Sequence, residues 1–124
     1  MRKEADAREQ GSPRPKVFFV NSESLGRGSE ELGLTLMRNL MLTLLDHGEA
    51  PAALLFVNSG VKLCCEGSAA LEYLAALHNR GAKVLSCGTC LNFYGLTDKL
   101  RAGEVTNMGV IVEYLTGSYE VVTL

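Results

Sequence analysis

The chain has 124 residues, of which 47% are hydrophobic and 21% charged, and its formal net charge is −2. This composition predicts one globular domain with a substantial core, and the charge gives no support for binding to nucleic acid or to an anionic membrane surface. No apolar run approaches the ~20 residues of a membrane span, and we expect no signal peptide because the N-terminus is charged and polar.

Residues 1–15 are rich in charge, Gly, Ser and Pro, which predicts a disordered tail or linker. Over residues 16–124, which we take as one domain, strand and helix patterns alternate. Strands are predicted at 16–21, 53–58, 82–87, 104–106 and 119–124. Long helices are predicted at 29–47 with Ser29 as N-cap, at 68–80 with Ser68 as N-cap, and at 107–115. Short helical turns are expected at 91–94 and 98–101. Alternation of this kind predicts a parallel α/β sheet.

The first helix is apolar nearly all round. Leu32, Leu36, Leu40 and Leu44 form one stripe, and Leu34, Met41 and Leu45 extend it to a second side. A single sheet cannot cover both sides, so we expect a homo-oligomer, the alternative being a helix enclosed by its own chain.

Small polar residues follow four of the predicted strands. Because the carboxyl ends of parallel strands meet at one edge, we expect a substrate site there. The residues concerned are Asn21 and Ser22, Asn58 and Ser59, Cys87, and Asn107. The alternative is that Asn and Ser only form turns and helix caps.

Cys87 and Cys90 form a CxxC motif across a predicted strand–helix junction. Backbone N–H groups at such a junction stabilise an anion and lower the pKa of a thiol, which favours the nucleophilic thiolate. The spacing does not decide which cysteine is the nucleophile, although Cys87 is slightly preferred. We take both as candidate catalytic residues. The alternative is two small residues that pack beside a strand.

Two further features near this edge are candidates for anion binding. The loop Gly26-Arg27-Gly28 precedes a helix and exposes N–H groups, but it matches neither a dinucleotide fingerprint nor a P-loop. Lys62 follows the second strand and would lower the pKa of a nearby thiol. A flexible turn and a solvated lysine are the alternatives.

Cys64 and Cys65 make four cysteines in total. A zinc site with the CxxC pair is disfavoured because adjacent cysteines rarely hold one tetrahedral ion. We expect no metal and no cofactor. Four cysteines without an export signal instead indicate free thiols in a reducing, cytoplasmic environment.

The chain resembles the DsrE/DsrF-like family, and most closely the C-terminal domain of YedF-type proteins, which are described as sulfurtransferase-like and linked to selenium metabolism. The matching segments are residues 24–33, 58–63, 66–68, 86–91 and 106–108. The resemblance implies a three-layer α/β/α sandwich with a five-stranded parallel sheet, homo-oligomers, and the CGTC thiols at Cys87 and Cys90. Two departures stand out. YedF-type proteins usually carry an N-terminal domain of the TusA type, where this chain has a linker, and Cys64-Cys65 are outside the pattern.

The resemblance and the CxxC motif together predict a sulfur-relay or sulfurtransferase-like protein, which carries sulfane sulfur or selenium as a cysteine persulfide. Its expected partner is a sulfur donor or acceptor protein, either TusA-like or a cysteine desulfurase. Turnover as an enzyme is left open. The alternative is a non-catalytic oligomeric module that binds a ligand or a partner, and a thiol-disulfide oxidoreductase is a weaker third reading.

Overall fold

The computed structural model of the protein describes residues 14–124, so the predicted tail or linker over residues 1–15 lies outside the described residues except for its last two. The elements along the chain are β1 (Lys16–Val20), α1 (Glu30–Asp46), β2 (Ala53–Phe56), a 3₁₀ helix (Asn58–Cys64), α2 (Leu71–Asn79), β3 (Lys83–Cys87), α3 (Gly88–Phe93), β4 (Glu104–Thr106), α4 (Met108–Thr116) and β5 (Glu120–Thr123).

The five strands form one sheet in the order β4-β3-β2-β1-β5, and every neighbouring pair is parallel. The chain moves in one direction from β1 to β4 and then crosses back to β5. Right-handed crossovers therefore place α1 and α2 on one face of the sheet and α4 on the other. This confirms the predicted α/β fold with a five-stranded parallel sheet.

The core is centred on β2, the middle strand. All four of its residues are fully buried, as its unbroken apolar sequence predicts for a strand that is covered on both faces. Side chains from the helices on both faces pack against it. The largest of these are Met37, Met41, Leu74, Leu77, Leu91 and Ile111.

Helix α1 begins as predicted and buries one narrow face. The Ser29 side chain accepts a hydrogen bond from the Leu32 N–H at 3.0 Å, so Ser29 is the N-cap. The residues that the helix buries are Gly33, Met37 and Met41. The start of the leucine stripe lies in solvent, since Leu32 is 56% exposed and Leu36 40%.

Three local predictions differ from the structure. Helix α2 begins at Leu71 rather than at residue 68, because the Ser68 hydroxyl accepts a hydrogen bond from the Ala70 N–H and closes a turn before the helix. The predicted helical turn at 98–101 is replaced by an antiparallel bridge between Leu100 and Cys65. The 3₁₀ helix occupies a segment that was expected to be a loop.

Within residues 14–124, no helix combines the length and the apolar character needed to cross a membrane.

Candidate functional site

The carboxyl ends of four strands lie side by side. Val20 of β1 pairs with Phe56 of β2, Phe56 pairs with Ser86 of β3, and Cys87 pairs with Thr106 of β4. The residues that follow these strands therefore emerge along one edge of the sheet. This register places Asn21 and Cys87 at the same level, with Asn58 and Asn107 one residue further along their strands.

The two thiols of the CxxC motif differ in exposure. Cys87 ends β3 and is 4% exposed, whereas Cys90 lies in α3 and is partly exposed. Both are free thiols. The backbone N–H of Asn58 donates a hydrogen bond to Cys90 Sγ at 3.0 Å. Of the two thiols, Cys90 is therefore the more accessible to a reagent or a partner.

The pKa of Cys90 is raised above its ordinary value, which contradicts the lowered pKa expected at this junction. Burial raises the pKa most, the Asn58 N–H lowers it, and the neighbouring Cys87 raises it again. Helix α3 has six residues. So short a helix adds little positive potential at its N-terminus, and desolvation dominates.

Asn58 connects β2 to the thiol helix in two ways. Its N–H contacts Cys90, and its Oδ1 accepts a hydrogen bond from the Tyr94 hydroxyl at 2.8 Å. The sequence analysis did not single out Tyr94. The available signal was its position four residues after Cys90, which places both side chains on one face of a helix.

Lys62 is held beside Tyr94. Its Nζ lies 4.5 Å from the centre of the Tyr94 ring and 3.6 Å from Glu23 Oε2. The side chains of Lys62 and Glu23 are 40% and 34% exposed, so the pair is screened by water. Glu23, which the sequence analysis also missed, directly follows Ser22 and offsets the lysine charge beside Tyr94.

Ser22 and Ser59, two of the predicted site residues, connect the loop after β1 to the 3₁₀ helix after β2. Ser59 Oγ accepts a hydrogen bond from the Glu23 N–H at 3.2 Å and lies 3.5 Å from Ser22 Oγ. Asn21 Oδ1 is buried without a hydrogen-bond partner among residues 14–124. Asn107 is used as a helix cap, since its side chain accepts a hydrogen bond from the Val110 N–H at 3.0 Å.

Glycines let these loops approach the sheet and α1. A Cβ atom added at Gly60 would overlap the Val20 carbonyl oxygen, and one added at Gly33 would overlap the Ser24 side chain. The 3₁₀ helix that carries Asn58 can therefore lie directly on the end of β1.

The Gly26-Arg27-Gly28 loop is solvent-exposed. Within the described part of the chain, the Arg27 side chain makes no hydrogen bond or ion pair, and no hydrogen bond joins the loop to the thiols. The structure thus leaves Arg27 available at the surface rather than committed to the site.

Cys64 and Cys65 are both buried in the core of the domain. Burial raises the pKa of Cys64 to about 12, against a smaller lowering effect of the Ser86 hydroxyl. The Cys65 thiol donates to the Val61 carbonyl at 3.3 Å. Across residues 14–124, no three His, Cys, Asp or Glu side chains are grouped so that they could hold a metal ion.

A cavity of about 490 Å³ adjoins the site. It shares Glu23, Lys62 and Tyr94 with the site, while neither thiol of the CxxC motif lines it. Its wall is mostly apolar away from these three side chains.

Comparison with known proteins gives a family and a fold. The profile of the DsrE/DsrF-like family matches residues 16–124. The ychN protein from E. coli has a similar structure, with a TM-score of 0.68, 18% identity, and coverage of 90% of this chain and 99% of the other. A protein of unknown function from Methanobacterium thermoautotrophicum has a TM-score of 0.64 and 19% identity, covering 88% and 97%. One from Bacteroides thetaiotaomicron has a TM-score of 0.59 and 14% identity, covering 89% and 95%. No curated protein matches significantly.

Proposed function

The chain belongs to the DsrE/DsrF-like family, and from this premise we propose that it is a sulfur-relay or sulfurtransferase-like protein that carries sulfane sulfur as a persulfide on Cys90. The single observation that supports this most directly is the Asn58 N–H, which donates to Cys90 Sγ at 3.0 Å while a second thiol, Cys87, lies beside it. A hydrogen-bond donor at this position favours an anionic sulfur. The same chemistry would carry selenium.

Loading is a thiol exchange. The donor is a protein persulfide, on a cysteine desulfurase or a TusA-like carrier, whose outer sulfur is bonded to a cysteine sulfur. The Cys90 thiolate, after giving its proton to solvent, attacks the outer sulfur. The donor S–S bond breaks, the donor cysteine leaves as a thiolate, and Cys90 becomes a persulfide anion. One S–S bond replaces another, so no external oxidant is needed.

The sulfur can leave Cys90 by two routes, which differ in whether Cys87 takes part. In the relay route, a thiolate of an acceptor protein takes the outer sulfur in the same exchange. In the second route, Cys87 attacks Cys90 Sγ, forms a Cys87–Cys90 disulfide and releases hydrosulfide. The sulfane sulfur gains two electrons, the two thiols lose them, and a thiol reductant must restore the pair.

The remaining polar groups at the edge of the sheet are proposed to bind the incoming sulfur group and its carrier. Lys62 supplies a positive charge 4.5 Å from the centre of the Tyr94 ring, and Arg27 is free to meet a partner at the surface. The full proposed set is Asn21, Ser22, Gly26, Arg27, Gly28, Asn58, Ser59, Lys62 and Asn107. Because the mechanism needs reduced thiols, the proposed location is the cytoplasm.

Intact-protein mass spectrometry after incubation with a cysteine desulfurase and cysteine tests the proposal. The wild-type protein should gain one or more sulfur atoms, which a thiol reductant removes. Cys90→Ser should abolish the gain, and Cys87→Ser should keep it. Cys65→Ser, which alters a buried thiol outside the CxxC motif, is the matched control and should load normally.

Failure to load would refute the proposal if a known carrier is loaded under the same conditions. Loading that persists in Cys90→Ser and is lost in Cys87→Ser would reassign the acceptor to Cys87. Loading that persists in both variants would exclude the CxxC motif as the acceptor.

An exposed apolar surface on α1 favours a second proposal, an oligomeric module that presents this edge to a ligand or partner. Leu32, Leu34 and Leu36 are 56%, 44% and 40% exposed. Leu36 also borders an apolar groove of about 430 Å³ over Phe18. Light scattering should give a homo-oligomer mass that falls in Leu36→Glu, and a monomeric wild-type protein would refute it.

A further inference from the structure

Asn58 has an unusual backbone conformation. Among residues 14–124 it is the one non-glycine residue with a positive φ, at 52°. Asparagine enters this left-handed region more readily than other L residues, but still at a cost. The preceding residue, Val57, is extended, so the chain turns sharply at Asn58 and begins the 3₁₀ helix. The first N–H of a helix has no acceptor within that helix, and here it is directed at sulfur.

Two atoms of Asn58 form hydrogen bonds with residues in or next to α3. Its backbone N–H lies 3.0 Å from Cys90 Sγ, and its side-chain Oδ1 lies 2.8 Å from the Tyr94 hydroxyl. Cys90 and Tyr94 are one helical turn apart. The thiol and the phenol therefore bind Asn58 from one face of α3, and rotation at Asn58 would break both contacts.

The Tyr94 ring is itself restrained. Lys62 lies over the ring at 4.5 Å, and the adjoining Phe93 ring packs edge-on at 5.1 Å. Lys62 is in turn paired with Glu23. The ring that carries the phenol is therefore in contact with Lys62 and Phe93, and its hydroxyl is hydrogen-bonded to Asn58.

We propose that Asn58 and Tyr94 are positioning residues for Cys90: the Tyr94 hydroxyl holds the Asn58 side chain, and this keeps the backbone in the left-handed conformation that directs its N–H at the sulfur. The inference rests on the proposed function, in which Cys90 carries the sulfur. An N–H donor stabilises a thiolate or persulfide anion more than it stabilises a neutral thiol.

The electrostatic surroundings of Cys90 show why this contact matters. Burial and Cys87 both raise the pKa of Cys90, and the Asn58 N–H is the contact that lowers it. Lys62 and Glu23 lie beyond Tyr94 and largely offset each other. Without this N–H, burial and Cys87 are the influences that remain on the Cys90 sulfur, and both oppose the anion.

The test is the pH profile of Cys90 alkylation by iodoacetamide, followed on the Cys90 peptide by mass spectrometry in a Cys87→Ser background. Tyr94→Phe removes the hydroxyl and keeps the ring. It should slow alkylation at pH 7.5 by about threefold to tenfold and move the profile to higher pH. Asn58→Ala should do the same, because it loses Oδ1 and disfavours positive φ. Asn58→Gly should restore the rate to within about twofold of the reference, because glycine adopts positive φ without strain.

The double variant of Tyr94→Phe and Asn58→Gly tests whether Tyr94 influences Cys90 through Asn58. If Tyr94 acts through Asn58, Tyr94→Phe should cause no further change in the Asn58→Gly background. Tyr73→Phe is the matched control, because the Tyr73 hydroxyl accepts a hydrogen bond from Arg38 between α2 and α1. This variant should leave the pH profile unchanged. Thermal unfolding of each variant identifies any loss of folding.

An unchanged profile in Tyr94→Phe would overturn the inference. So would an equal effect of Tyr94→Phe with and without Asn58→Gly, because Tyr94 would then act independently of Asn58. Alkylation needs no sulfur donor. A protein that fails to load sulfur but shows the expected profiles would refute the proposed function alone.

Discussion

Gly60 joins the packing of the fold to the chemistry of the site, and Gly60→Ala tests both. Gly60 is buried in the 3₁₀ helix, and an added Cβ would overlap the Val20 carbonyl oxygen and lie 3.2 Å from the Val20 carbonyl carbon. Both obstacles are backbone atoms, which cannot rotate away. Overpacking of this kind costs about 1–3 kcal/mol. At roughly 4 °C per kcal/mol for a domain of this size, we expect Tm to fall by roughly 4–12 °C.

The same substitution should weaken the contact at the thiol. The 3₁₀ helix can relieve the overlap only by moving away from β1, and Asn58 moves with it. The 3.0 Å contact between the Asn58 nitrogen and Cys90 Sγ then lengthens. Since this N–H is the group that favours the thiolate, alkylation of Cys90 at pH 7.5 should slow by about threefold or more.

Circular dichroism on heating and iodoacetamide alkylation below Tm measure the two effects. Gly109→Ala is the control. An added Cβ at Gly109 would lie 3.1 Å from the Asn107 Oδ1 that caps α4, and the better helix propensity of alanine offsets this crowding, so Tm should change much less than in Gly60→Ala. A Gly60→Ala protein with wild-type Tm would refute the packing argument. A lower Tm with unchanged alkylation would refute the link between Gly60 and the thiol.

Three further predictions follow from single contacts. Ser29→Ala removes the N-cap of α1 and should cost about 1 kcal/mol in urea unfolding, whereas Ser118→Ala, at an exposed serine, should cost much less. Burial raises the pKa of Cys64 from 9.0 to about 12, so the folded state keeps a proton that the unfolded state loses. The free energy of unfolding should therefore fall as pH rises above about 9, by at most ~1.4 kcal/mol per pH unit from this group, and the slope should lessen in Cys64→Ala; an equal slope would contradict the assignment. The third prediction concerns the ratio of the alkylation rate with anionic iodoacetate to the rate with neutral iodoacetamide. At low salt, Lys62→Gln should lower this ratio by about twofold and Glu23→Gln should raise it by about twofold. Equal ratios would show that the pair does not influence anions at the thiol.

The main elements of the fold were predictable because their patterns are local. β2 is an unbroken apolar run, and only a strand with both faces covered suits such a run. Ser29 before two glutamates marks the start of α1 for the same reason, since a capping side chain acts within one turn. The parallel direction of the strands follows from their alternation with helices, whereas alternation alone does not fix the strand order.

The parts that were missed depend on contacts between distant segments. Asn58-Ser59-Gly60 predicts a turn, and only the approach of β1 makes it the start of a 3₁₀ helix. The sequence did not indicate which face of α1 is buried, because its leucines and methionines allow several stripes, and the choice depends on contacts such as that of Gly33 with Ser24. Exposure of Cys90 rather than Cys87 likewise depends on the pairing of β3 with β4.

The order of the strands also determines where a ligand would meet the thiols. In open parallel sheets a crevice forms where neighbouring strands send their connections to opposite faces, which here is between β3 and β4. The chain leaves β3 through α3 towards the face of α1 and α2, and it leaves β4 through α4 towards the other face. Cys87 is the last residue of β3 and pairs with Thr106 of β4, so the CxxC motif begins where these two connections part. A sulfur-bearing group that entered this crevice would reach the thiols from the open end of the sheet.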